Sequence, residues 1–224
     1  MLPTPYPDLN AVLRELVAGS RTLLGGNFCG AYLVGSFALG DADEHSDVDF
    51  LVVADEELDD VQVAGLQELH RRLHGLGVAW AQHLEGSYIR RELLRRVDPA
   101  RTPLLYLDNG ASELVRDDHC NTAVLRWTLR EHGVVLAGAE PASLVEPVSP
   151  EELRAEALVT LPRYLEWAPE PTKAGGMSRW KQPYLVLTFC RLLHTLATGR
   201  VASKREAAEW ALETLDPEWA SLVK

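Results

Sequence analysis

Residues Gly35–Val53 read GSFALGDADEHSDVDFLVV. Two aspartates, Asp47 and Asp49, stand on alternate positions at the mouth of an apolar run, and a Gly-Ser pair precedes them. Alternate positions on a strand point to one face, so the two carboxylates project together while Val48 turns into the core. Burying even one unpaired carboxylate is costly, and two adjacent ones repel. A shared hard cation resolves both problems. Magnesium, commonly held by one or two carboxylates together with substrate phosphates, is the natural choice. Gly35 lets a backbone approach a phosphate closely, and Ser36 offers a hydroxyl beside backbone amides. A small phosphate cradle, a loop and a paired-carboxylate metal site suit metal-assisted nucleotidyl transfer.

Working outward, the stretch after Pro7 spaces Val12, Leu13, Leu16, Val17, Leu23 and Leu24 as a helix that Gly25 and Gly26 stop. FCGAYLVGS (28–36) reads as a strand running into a tight turn, and VDFLVVA (48–54) as a strand buried on both faces. The segment 55–77 is an amphipathic helix with an acidic start and a basic end. VAWAQHLEGSYI (78–89) is expected to be a third strand. Strand or loop around Asp108-Asn109-Gly110 follows, then a helix ending at Gly133 and a short strand, VVLAG. The proline-rich AEPASLVEPVSPE is expected to be a linker. Beyond it the pattern is helical. Ser149-Pro150-Glu151-Glu152 and Ser203-Lys204-Arg205-Glu206 are capping boxes, and Gly199 ends the long apolar helix between them. The expected fold is an α/β (α+β) domain with a mixed sheet, residues 1–147, followed by an all-α domain, residues 148–224.

The chain has 224 residues, 46% apolar and 25% charged, enough for a sizeable core. A formal net charge of −11 argues against a DNA or long-RNA partner and favours cationic small molecules and metal ions. Cys29, Cys120 and Cys190 are odd in number and widely spaced, which reads as reduced thiols rather than a disulfide frame or a zinc site. The opening MLPTPYPDLN lacks the features of a signal peptide, and no apolar run reaches the ~18 residues a membrane helix needs. The expectation is a cytoplasmic monomer with no membrane partner.

The pattern Gly-Ser, spacer, Asp-x-Asp resembles the nucleotidyltransferase superfamily. VLTFCRLLHTLATGRVASKREAAEWALETL narrows the likeness to the aminoglycoside 3''-adenylyltransferases. The resemblance implies transfer of AMP from ATP to a hydroxyl of a small acceptor, in a cleft between two domains, with release of pyrophosphate. It implies two magnesium ions, with Asp47 and Asp49 as ligands. It implies Gly35, Ser36 and Ser46 near the nucleotide, and Arg191 and Lys204 on the triphosphate. An arginine fork and a lysine point charge both suit phosphate oxygens. Read by themselves, Arg191 is a salt-bridged helix residue and Lys204 a solvated first-turn residue. A third carboxylate, Glu85 in HLEGSYI, is expected as general base, sharing a polar strand face with His83 and Ser87.

The chain departs from that family just before the long apolar helix, where SRWKQPYLVLT places Trp180 and Lys181 instead of acids. A lysine repels a polycationic drug. Glu166, with Trp167 and Glu170, offers an alternative acidic and aromatic wall, and the Gly175-Gly176 loop can rearrange. Glu166 and Trp180 are therefore the candidate acceptor-binding residues. His70 and His74 fit a helix-end role, and His119 a place near the site. Two other readings stand beside the first: the same chemistry on a lincosamide or a protein hydroxyl, and an inactive nucleotide-binding regulator.

Overall fold

The computed structural model describes residues 2–168 and 181–223. The chain divides into two compact units, residues 1–147 and 148–224.

In the first unit, Pro7 at the first helical position opens α1 (Pro7–Leu24), whose Leu9, Val12, Leu13 and Leu16 are buried on one stripe. The chain then forms β1 (Phe28–Leu33). Its end is not the tight turn expected from the sequence. Gly35 starts a short helix, α2 (Gly35–Leu39), closed by Gly40 in the left-handed conformation. β2 (Val48–Ala54) leads into α3 (Asp60–His74), which Asp59 and Gln62 cap reciprocally. β3 (Leu84–Arg90) and α4 (Arg91–Leu94) follow, then β4 (Leu104–Leu107), β5 (Leu114–Asp117), α5 (Ala123–His132) and β6 (Val134–Gly138).

The strands form one mixed sheet in the order β5-β4-β3-β2-β1-β6. Only β2 and β3 run parallel, with α3 as their crossover; the other neighbours are antiparallel. Val48, Phe50 and Val52 face α1 and α3 in one core, while Leu51 and Val53 face α5 and Leu94 of α4 in another. β2 is therefore buried on both sides, which is why its sequence shows an apolar run instead of alternation. Each leucine fully buried in these layers contributes about 2 kcal/mol.

Two further expectations are corrected. Residues 79–82 form a 3-10 turn, so the third strand begins only at Leu84. Trp80 folds back in an aromatic group with Tyr6 and Phe37, and Ala81 is buried, which holds this segment against α1. The proline-rich stretch is not a free linker over most of its length. Val145 is buried, and the Glu146 carboxylate bridges Arg95 and Arg96 while its amide donates to the Arg95 carbonyl.

The second unit is helical among its described residues. α6 (Pro150–Trp167), α7 (Lys181–Thr198), α8 (Lys204–Thr214) and α9 (Ala220–Val223) are its α-helices. Both expected capping boxes are formed: the Ser149 and Ser203 hydroxyls accept from the amides of Glu152 and Glu206, whose carboxylates reach back. Cys190, Ala202, Ala207 and Ala211 make a small-residue core between α7 and α8.

Candidate active site

The parallel pairing of β2 and β3 puts Asp49 opposite Glu85 in register. Both lie on the sheet face that carries Leu51, Val53 and Ile89, at the strand ends where the apolar layer stops. Asp47 lies just before β2, and the following amide, Val48 N, donates to the His83 carbonyl at 2.8 Å. Strand pairing thus brings three carboxylates from two distant segments to one edge. Of the two residues expected beside Glu85, Ser87 shares its face of β3 but is buried, whereas His83 precedes the strand and its ring contacts Asn109.

Gly35 covers Asp49. Its φ is +57°, and a Cβ there would lie 1.9 Å from Asp49 Oδ2. The Val34 amide donates to the Asp49 carbonyl at 2.9 Å, which locks the end of β1 to the site. Glycine therefore serves two purposes here: it adopts a left-handed φ and it leaves room for the carboxylate. Ser36 follows in the first turn of α2. The Ser46 hydroxyl accepts from the Asp43 amide and donates to its carboxylate, so it closes the acidic loop that delivers Asp47.

Tyr106, Asp108, Asn109 and Cys120 join this edge unanticipated, beside His119, which was expected near the site. The Tyr106 hydroxyl contacts Glu85 Oε1 at 2.7 Å and Asp108 Oδ1 at 3.0 Å. Burial and the neighbouring Glu85 push its pKa upward, so it stays protonated and donates. Asn109 Nδ2 donates to Asp47 Oδ1 at 2.5 Å. The His119 ring stands edge-on to Tyr106, its centroid 4.4 Å away, and Nδ1 meets the Asp117 carboxylate. Its pKa is pushed up to about 11, first by hydrogen bonding with Cys120 and then with Glu85. Burial raises the Cys120 thiol. One signal for Tyr106 and Asp108 was present in YLDNG: they stand on alternate positions, as Asp47 and Asp49 do. The pairing of Ser87 with Tyr106 that brings the phenol to Glu85 is a tertiary fact.

Asp47 and Asp49 form an oxygen-only donor set beside a glycine that a side chain would obstruct, so the residues present fit magnesium.

In the second unit, Arg191 lies half-buried on α7. Lys204 is the first residue of α8, with its ammonium 5.6 Å from the Tyr184 ring centroid. Glu166 is exposed near the end of α6. Lys181 begins α7, while Trp180, Glu170, Gly175 and Gly176 fall outside the described residues. No described helix is long and apolar enough to cross a membrane.

Residues 29–97 match the nucleotidyltransferase domain family, and residues 143–224 match the C-terminal domain of aminoglycoside adenylyltransferases. A spectinomycin 9-adenylyltransferase of Campylobacter jejuni is 24% identical over 221 residues, covering 94% of this chain and 81% of the relative. An aminoglycoside (3'') (9) adenylyltransferase of Klebsiella pneumoniae is 28% identical over 227 residues, with the same two coverages, 94% and 81%. Among solved structures, the spectinomycin adenyltransferase of Enterococcus faecialis with ATP and spectinomycin superposes with a TM-score of 0.75 at 17% identity. That match covers 95% of this chain and 86% of the other, and shows the shared fold.

Proposed function

Because the chain belongs to the nucleotidyltransferase superfamily and resembles its aminoglycoside adenylyltransferases, we propose that it transfers AMP from ATP to a hydroxyl of a small acceptor, an aminoglycoside in the first instance. The observation that carries this reading is the register of Asp49 with Glu85 under Gly35. Asp47 and Asp49 would hold two magnesium ions, which, when bound, neutralise the triphosphate and acidify a neighbouring hydroxyl.

Glu85 accepts the proton of the acceptor hydroxyl as its oxygen bonds to the α-phosphorus and pyrophosphate leaves. Tyr106 holds Oε1, which fixes the roll of the carboxylate. Gly35 and Ser36 line the phosphates with backbone and hydroxyl donors. Ser46 contributes by closing the loop before Asp47. Arg191 and Lys204 supply cationic charge for the triphosphate. Glu166 and Trp180 are assigned to the acceptor, where an acid and an aromatic suit a cationic sugar. The protein is further proposed to act as a cytoplasmic monomer, consistent with three free cysteines.

Incubation with Mg-ATP and an aminoglycoside panel, read by mass spectrometry of the acceptor, tests the reading. The expected result is a gain of one adenylyl group on one drug, abolished in Glu85→Gln with Mg-ATP binding retained. An acceptor modified equally by the variant would reject Glu85 as the base.

A further inference from the structure

Glu85 is also part of a second constellation. One ligand atom each from Glu85, His119 and Cys120 lies within 4.8 Å of the other two. The residues come from β3 and from the loop between β5 and α5, so no local spacing announces them. Their chemistry differs from that of the aspartate pair. A thiol and an imidazole are soft and borderline donors that select zinc over magnesium. We propose that Glu85, His119 and Cys120 form a binding site for a zinc-like divalent cation at the edge of the active site, with the fourth position open to water.

Three features orient the donors. The Asp117 carboxylate contacts His119 Nδ1 and also accepts from the His119 amide at 2.8 Å, which leaves the other ring nitrogen for a metal. A carboxylate behind a ligating imidazole is the usual support for such a site. The Tyr106 ring, edge-on to His119, restricts rotation of the imidazole. The Tyr106 hydroxyl holds Glu85 Oε1 and so fixes the orientation of that carboxylate. A tetrahedral zinc site with bonds of about 2.0–2.3 Å has donors about 3.3–3.8 Å apart, so the widest pair must close by about an ångström. An exposed His119 side chain can make that movement, and its exposure gives the ion a path from solvent.

A bound ion occupies the carboxylate assigned above as the base. The site would therefore couple zinc to turnover; that consequence, unlike the binding itself, rests on the adenylyl-transfer reading.

Cobalt(II) serves as the spectroscopic probe on the full-length, reduced protein without nucleotide. The expected result is a thiolate-to-cobalt charge-transfer band at one equivalent, displaced by zinc and not by excess magnesium. Cys120→Ser should abolish the band and weaken zinc binding at least tenfold in a chelator competition. Cys29→Ser should leave both unchanged, which controls for adventitious thiol binding. Absence of the band in a folded protein, or its persistence in Cys120→Ser, overturns the site and identifies the cluster as a hydrogen-bonded imidazole between carboxylates. If the band behaves as expected and zinc still leaves adenylyl transfer untouched, the metal site stands and Glu85 is not the base.

Discussion

At Gly35 the requirement for a single residue type can be read in ångströms. A methyl group there would lie 1.9 Å from Asp49 Oδ2, and its φ of +57° strains any side chain. The Asp49 carboxylate would have to leave its place under the glycine. Gly35→Ala is therefore expected to lower turnover by at least two orders of magnitude, by displacing a metal-ligating carboxylate. Its fold should survive, because the clash is with a side chain at the edge of the core. A circular dichroism spectrum matching the wild type, together with weakened Mg-ATP binding, checks this; unimpaired Mg-ATP binding would contradict it. The sequence already carried this residue: a Gly-Ser before Asp-x-Asp states both the cradle and the acids. Tyr106, Asn109, His119 and Cys120 were less legible, because each reaches the site through strand pairing or loop packing rather than through local spacing.

Among the elements, those with capping or buried-face signals were legible and those shaped by contacts were not. Ser203 caps α8 by accepting from Glu206 N at 3.2 Å, while Glu206 returns a carboxylate to Ser203 N at 2.9 Å. Ser203→Ala removes half of that exchange. It is expected to destabilise the helical unit by about 1 kcal/mol, measurable as a lower denaturant midpoint with an unchanged slope. β5 has only two apolar residues, Leu114 and Val115, followed by Arg116 and Asp117, and none of the four is buried, so no apolar run marked it as a strand. It is fixed instead by Gln67 of α3, which accepts from Leu114 N at 2.8 Å and donates to the Ser112 carbonyl at 2.7 Å. The segment 78–89 was expected to be one strand throughout. Aromatic packing of Trp80 against Tyr6 decided otherwise.

Across the whole molecule, pH couples to stability through His70. It lies 1% exposed between Phe50 and Tyr88, with Nε2 2.8 Å from the Tyr88 hydroxyl. Burial lowers its pKa from 6.5 to about 4. The folded state thus refuses a proton that the unfolded chain accepts. The contribution is intact above pH 6.5 and is lost as pH falls toward about 4, a difference of about 3 kcal/mol. His70→Gln, which cannot titrate, should lose about 3 kcal/mol less than the wild type over that interval in urea titrations. Parallel losses would show that His70 does not set the acid limit. His70 was read from the sequence as a helix-end residue. Its burial follows from α3 lying across β2 and β3, a consequence of the crossover that the chain shows only when folded.

The most direct test of the account is acceptor-dependent pyrophosphate release from Mg-ATP, compared between the wild type and Asp49→Asn. The account predicts release that requires an aminoglycoside and falls at least a thousandfold in the variant, with the fold intact. Release by Asp49→Asn at the wild-type rate would contradict it.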